Sequence, residues 1–319
     1  MFKTSNERIK QLSAHRKFIK GKIIPFGFSF LDDCMRGLFP TDLLLVGAAS
    51  GAGKTQFCSN LAKSAAKLGR RVHYFALEAE ENEIEHRIMY QHICDQFYNS
   101  RPRIQLNAHL NFEDWELGLF DDKLGFYEES AQTMFDMNFS TLNTFYKKND
   151  FTADSLMEYV SLIRDETDLI IVDHTHYFDW EDADDNRAIK TIAKAARSLS
   201  LEYRKPIVLV GHLRKRDKRY GSLCPDQEEF HGSSDLYKIA TKIITMAPGM
   251  PVEGGGYYTY IRAAKSRKNG GVVRYAAELV YDETKGNYRD EYKLTWANAK
   301  EFEEIDGANN PWWVGRSTR

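Results

Sequence analysis

The sequence predicts an α/β fold: a central, mostly parallel twisted sheet flanked by helices, with a β-hairpin towards the C-terminus. Three observations predict it. The apolar run Leu43-Leu44-Leu45-Val46 leads into Ala48-Ala49-Ser50-Gly51-Ala52-Gly53-Lys54-Thr55 and then a helical pattern from Gln56 to Leu68, which is strand, small-residue loop and helix in order. Apolar runs recur at 71–77, 169–172 and 206–211, and they lead into Glu78, Asp173 and His212, as buried strands do when they deliver side chains to one sheet edge. Finally, Gly254-Gly255-Gly256 opens a unit of two strand-like runs, Tyr257 to Ala264 and Val272 to Tyr281, joined at Asn269-Gly270-Gly271, the pattern of a hairpin.

At 319 residues the chain is long enough for one large α/β domain or two small ones. Apolar residues make up 42% and charged residues 28%, an ordinary globular balance without repeats. A formal net charge of −2 excludes a generally basic nucleic-acid coat protein, so any such contact must come from a local patch. Cys34, Cys58, Cys94 and Cys224 are scattered without a C-x-x-C pair, which reads as reduced, buried thiols. Met1-Phe2-Lys3-Thr4-Ser5 carries no apolar signal core and no stretch reaches membrane-spanning length. A soluble, cytoplasmic protein with no membrane partner is expected.

The stretch from Ala48 to Thr55 carries the chemistry. Small residues let backbone N–H groups curl around a polyphosphate, and the following helix points its positive end at it. Lys54 would reach the terminal phosphates, and the Thr55 hydroxyl would ligate Mg2+. Ser50, Gly51, Ala52, Gly53, Lys54, Thr55 and Gln56 are the expected nucleotide contacts. Ala48 opens the loop where glycine is common, and alanine costs little there if its φ is negative.

The remaining chain is read outward from that loop. Residues 5–22 place Arg8, Lys10, Arg16, Lys17, Lys20 and Lys22 among Ile9, Leu12 and Ile19, a basic amphipathic helix outside the main domain. It reads as a solvated arm, or as a helix docking on a neighbouring subunit or on nucleic acid. Glu78 could orient or deprotonate the water that attacks a γ-phosphate; it could equally be helix-start charge, like Glu80, Glu81 and Glu83. Phe112, Trp115, Leu117, Leu119, Phe120, Leu124 and Phe126 suggest helical packing, and Phe139-Ser140-Thr141-Leu142 a short strand.

Asp173 ends a buried run and, with Lys54 and Thr55, would hold Mg2+. His174 and His176 share a strand face, but no cysteine or third histidine has matching spacing, which argues against zinc. His212 could sense the γ-phosphate through a hydrogen bond. Arg214, Lys215, Arg216, Lys218 and Arg219 form a cationic loop with Tyr220, either a binder of nucleic-acid phosphates or a solvated charge run. Lys265, Arg267 and Lys268 sit by the hairpin turn, where they reach a neighbour's phosphate loop more easily than their own. An arginine finger acting in trans would explain them. The polar stretch from Asp282, with Trp296, Trp312 and Trp313, carries no functional reading.

Together these residues resemble the ATPase domain of DnaB-type replicative helicases, within the wider RecA-like P-loop NTPase group that includes the KaiC-type clock ATPases. The resemblance runs from about Pro25 to Tyr281. It rests on Phe28-Ser29-Phe30-Leu31-Asp32, Gly37-Leu38-Phe39-Pro40-Thr41-Asp42, the Ala48-initiated loop, Phe75-Ala76-Leu77-Glu78, Ile171-Val172-Asp173, Gly232-Ser233 and Lys265-Ser266-Arg267-Lys268-Asn269-Gly270. It implies a RecA-like core over 25–285, a basic linker helix at 1–24 and a C-terminal extension at 286–319. It further implies ATP hydrolysis with Mg2+, with Lys54 and Thr55 on phosphate and metal, Glu78 as catalytic base and Asp173 supporting the metal. Lys265 and Arg267 look like the pair that a neighbouring subunit inserts into the site, and His212 stands where such helicases usually have glutamine.

Loops near 179–186 and 213–231 correspond to segments that line a central channel and hold single-stranded DNA. The implied function is a hexameric ring motor moving on or unwinding nucleic acid; the alternative is a RecA/KaiC-like regulatory or defence ATPase acting on a protein partner. Three features depart from the helicases. Their primase-contacting N-terminal domain has no counterpart here, Thr41 replaces the usual glycine, and His174, His176 and His212 stand where the helicases differ.

Overall fold

Strand β1 (Leu43–Ala48) is buried along its whole length, and the rest of the molecule is laid out from it. The structure, a computed structural model, describes residues 4–100, 110–179, 185–213, 221–226, 229–230, 234–253, 255–269 and 274–305. Its further strands are β2 (Val72–Ala76), β3 (Leu142–Tyr146), β4 (Leu169–Asp173), β5 (Ile207–His212), β6 (Lys242–Pro251), β7 (Tyr257–Ser266), β8 (Tyr275–Asp282) and β9 (Asn287–Trp296). They form one nine-stranded sheet in the order β3-β2-β4-β5-β1-β6-β7-β8-β9. Pairing is parallel from β3 to β6 and antiparallel from β6 to β9.

Period-two alternation assigns each strand residue to one of two cores. Leu44, Val46, Leu169 and Ile171 face α3 (Ser29–Met35), α4 (Lys54–Lys67) and α5 (Glu83–Ser100). Leu43, Leu45, Ile170 and Val172 face α8 (Ala153–Ile163), α9 (Asp185–Tyr203) and α10 (Ser234–Ile239). The sheet therefore has helices on both faces, the arrangement expected of parallel strands. Gly47 is required by the second face, since a Cβ there would fall 2.2 Å from the ring of Phe230. All four cysteines are buried. Among the described residues no helix is long and apolar enough to cross a membrane.

Several elements differ from the sequence reading, each for a local reason. Helix α7 (Asp121–Asn138) runs into Phe139, whose N–H bonds to the Phe135 carbonyl at 2.8 Å. Phe139 thus closes a helix, and the strand starts at Leu142. Of the aromatics and leucines expected to pack near 112–126, Phe120 and Leu124 are buried in a satellite core with α5. Leu117, Leu119 and Phe126 are instead exposed. The basic arm is split at Gln11 into α1 (Ser5–Lys10) and α2 (Leu12–Lys20). Its end rests on the domain: the Arg204 guanidinium lies 4.1 Å over the Phe18 ring, and Arg70 donates to the Gly21 carbonyl at 2.8 Å.

The largest difference is at the C-terminal side. In place of a lone hairpin, β6 to β9 form a four-stranded antiparallel meander. Strand β9 lies beyond residue 285, where the sequence suggested an extension. Its alternating Tyr288, Tyr292 and Leu294 pack into the α4-side core, so this stretch continues the sheet. Trp312 and Trp313 lie outside the described residues.

Candidate functional site

The parallel register brings the expected residues to one edge. Ala48 pairs with His212 and Ala76 with Asp173, while the Leu77 N–H donates to the Asp173 carbonyl at 2.6 Å. Carboxyl ends of parallel strands are where such sheets bind ligands. From Ala48 the chain enters a loop with left-handed backbone at Gly51 (φ 75°) and Gly53 (φ 84°), a conformation glycine adopts without steric cost. Ala48 is a buried strand residue and is not among the described residues with positive φ, so its methyl group is accommodated.

Residues Ser50 to Gln56 line a single cavity of about 710 Å3 together with Glu78, His174 and His212. Within it the Lys54 amine is nearly buried and donates to the Ala49 carbonyl at 3.0 Å and the Ala48 carbonyl at 3.4 Å. It also lies 3.4 Å from Nδ1 of His212. Burial pushes this amine below its usual range, against the opposing fields of Asp173 and Glu78. The Gln56 side chain is buried, with Nε2 unpartnered.

Asp173 lies under the loop. Its Oδ2 accepts from the Tyr74 hydroxyl at 2.7 Å, and Oδ1 is buried without a partner. Burial raises the carboxyl to about 6, against the Tyr74 hydrogen bond, the nearby Thr55 hydroxyl and the charge of Lys54. An orphaned carboxylate oxygen beside a threonine hydroxyl is a hard-oxygen pair of the kind that suits Mg2+, so the residues present fit that ion.

Glu78 is half-exposed at the mouth. Oε1 accepts from the Tyr177 hydroxyl at 3.3 Å, and Oε2 lies 3.5 Å from Nε2 of His174. Burial, with the charges of His212, Lys54 and His176, lowers His174 to about 3, so that ring is neutral at physiological pH. The three histidines cluster at tilted and edge-on angles, with the His174 and His212 centroids 4.2 Å apart and those of His176 and His212 4.9 Å apart. Among the described residues no group of three His, Cys, Asp or Glu side chains is placed to hold a metal.

Lys265 and Arg267 are not in this cavity. Arg267 sits at the opposite, amino edge of the parallel strands, its N–H bonded to the Thr241 carbonyl beside Leu43, and Lys265 lies two residues further in, opposite Ile243 and so level with Leu45. Lys265 lies on β7 itself, not in the turn, and its amine donates to the Tyr237 carbonyl of α10. Arg267 is exposed. Arg214, Lys215, Arg216, Lys218 and Arg219 lie outside the described residues; Leu213, the described residue before them, bridges to Phe230.

Sequence reasoning missed one wall of the cavity. Tyr257, Tyr258 and Thr259 from β7, Tyr281 from β8 and Tyr288 from β9 complete it, and a Cβ on Gly53 would come within 2.8 Å of the Tyr288 hydroxyl. The alternation of Tyr288, Tyr292 and Leu294 among charged residues was the available signal for that strand. Tyr74 gave no such signal, because its bond to Asp173 crosses between strands.

A family model described as "DnaB-like helicase C terminal domain" matches residues 24–247. The chain is 24% identical over 228 residues to the replicative DNA helicase DnaB of Haemophilus influenzae, covering 68% of this chain and 44% of that protein. The same figures describe its likeness to the DnaB of Pasteurella multocida. The chain thus spans less than half the length of these curated relatives. A solved structure described as "ATPase Domain of G40P" superposes with a TM-score of 0.67 at 16% identity, over 91% of this chain and all of that one. A DnaB-like replicative helicase, solved in a study of its interactions with primase, gives 0.64 at 19% identity, over 90% of this chain and 67% of that one. These two likenesses show a shared RecA-like fold. With most of its length matched by the family model, the chain belongs to the DnaB-like helicase C-terminal domain family.

Proposed function

We propose that this chain is an ATP-hydrolysing motor module that works as a ring and moves on, or unwinds, nucleic acid, with single-stranded DNA as its track. One observation carries the reading: the reactive groups are divided between two opposite edges of one sheet. Lys54, Thr55, Glu78 and His212 line the cavity at the carboxyl edge with Asp173 buried beside them, whereas Arg267 is exposed at the amino edge. Roughly five strand residues at about 3.3 Å each separate the edges, about 16 Å before any lateral offset. That span supports an Arg267 that acts on a second copy of the chain.

In this reading Lys54 leaves its two loop carbonyls to bind the terminal phosphates, and Thr55 with Asp173 holds Mg2+, which when bound neutralises phosphate charge. Glu78, held between Tyr177 and His174, orients the attacking water and takes its proton. His212, beside Lys54, is positioned to register the γ-phosphate and pass its state to the loop after Leu213. Arg267 of a neighbouring subunit would stabilise charge in the transition state. The tyrosine wall from β7 to β9 offers ring faces to the nucleobase. Contact between subunits is supported by charge: the exposed start of the arm is basic, and α6 (Phe112–Glu116) and α7 are acidic around exposed Leu117 and Phe126.

The deciding experiment is the ATPase rate with and without single-stranded DNA of graded length. Stimulation is expected, falling with salt as the Arg214-to-Arg219 loop is screened. No stimulation at any length would overturn the motor reading and favour a regulatory ATPase with a protein partner.

A further inference from the structure

Tyr74 is fully buried on β2, two residues before Ala76, which is opposite Asp173. Its ring lies in the core beneath α4, among Phe57, Cys58 and Leu61. A phenol in such surroundings is expensive unless its hydroxyl is hydrogen-bonded, and phenylalanine would fill the same volume. The hydroxyl reaches across the strand pair and donates to Asp173 Oδ2 at 2.7 Å. Burial and the Asp173 charge keep it a neutral phenol. One carboxylate oxygen is therefore occupied from below, while Oδ1 is buried and unpartnered.

We propose that Tyr74 is a positioning residue for the divalent cation: by holding Oδ2 it fixes the Asp173 carboxylate with Oδ1 as the acceptor left for the metal. This rests on the reading of Asp173 and Thr55 as the cation's side of the site. The nearest rival is a tyrosine that only fills the core. The two differ in what Tyr74→Phe does, since the ring is kept and only the donor is lost.

The experiment measures binding of a non-hydrolysable ATP analogue to the full chain, by calorimetry, across a Mg2+ titration and in EDTA. Tyr74→Phe should weaken the Mg2+-dependent part of the affinity about tenfold, the scale of a hydrogen bond to an ionised group, and leave the EDTA affinity unchanged. In an Asp173→Asn background the same substitution should add nothing to the loss. Wild-type Mg2+ dependence in Tyr74→Phe, an equal loss in EDTA, or additive losses in the double variant would each overturn the proposal. Wild-type binding that ignores Mg2+ would instead overturn the underlying assignment of Asp173 and Thr55.

Discussion

The two edges of the sheet hold different kinds of residue. At the carboxyl edge Lys54, Asp173 and His174 are buried and shifted in pKa: Lys54 is lowered, Asp173 raised to about 6 and His174 lowered to about 3. Near the amino edge Lys265 is tied to the Tyr237 carbonyl, Asn269 donates to the Cys34 carbonyl at 3.0 Å, and Lys268 lies 4.0 Å over the Phe39 ring. These contacts pin the start of the turn and leave Arg267 exposed between them. In the proposed reading, one edge is a chemical site in itself and the other is a mount that offers its cation to a second subunit. The contrast predicts that mutations at the first edge change both stability and chemistry, while mutations at the second change chemistry alone.

The largest effect is expected at Lys54. Lys54→Ala removes the charge that would meet the terminal phosphates, and ATP turnover should fall by more than about 10³, beyond the upper end for a single preorganised electrostatic contact. Retained steady-state turnover would break the assignment of this edge. Next is Arg267→Ala, which should cost about 10³-fold if it is a trans-acting finger, with stability changed by no more than about 0.5 kcal/mol because the side chain is exposed. Mixing Arg267→Ala with Lys54→Ala subunits should restore part of the activity, since each pairing of an intact loop with an intact finger makes one complete site. Mixtures no more active than either parent would refute sharing.

Much of the first edge was legible because its signals are local in sequence: a Gly-Lys-Thr between strand and helix, and apolar runs that lead into Glu78, Asp173 and His212. Buried parallel strands are continuous apolar runs, so their ends are easy to find. The contribution of β9 to the cavity was not legible. Strand β9 is an edge strand in which Arg289, Glu291 and Lys293 face outward, and charge of that density reads as loop. The α5–α7 region misled differently. Its aromatics are split between a satellite core and solvent, which periodicity over short helices does not resolve. Phe139 to Leu142 reads as a short strand in the sequence, but the Phe139 N–H completes a helical turn.

A third prediction concerns what the first edge costs. A carboxyl raised to about 6 by burial ionises at higher pH in the folded protein than in the unfolded chain, where it titrates near the ordinary aspartate value. Its contribution to stability is therefore fully present below the unfolded value and lost as pH rises through 6. In the absence of nucleotide, Asp173→Asn should leave stability near pH 4 almost unchanged. Towards pH 7.5 it should raise stability by up to roughly 3 kcal/mol, the scale of a two-unit shift. Thermal melts across that range check it. A variant less stable than wild type at pH 7.5 would mean that the buried carboxylate is compensated, and the contrast between the edges would narrow.

The smallest effect tests whether the antiparallel extension belongs to the first edge. Gly53 has φ 84° and would bring a Cβ within 2.8 Å of the Tyr288 hydroxyl. Gly53→Ala is thus strained twice, by a left-handed backbone worth about 1–2 kcal/mol and by contact with β9. Tyr288→Phe removes only the hydroxyl and should relieve only the second strain. In denaturant titrations of the two single variants and the double, a coupling of about 0.5–1 kcal/mol is expected, above the ~0.3–0.5 kcal/mol scatter of independent sites. Additive losses would detach β9 from the phosphate loop. A measured coupling would make the strand that reads as a polar tail a wall of the site.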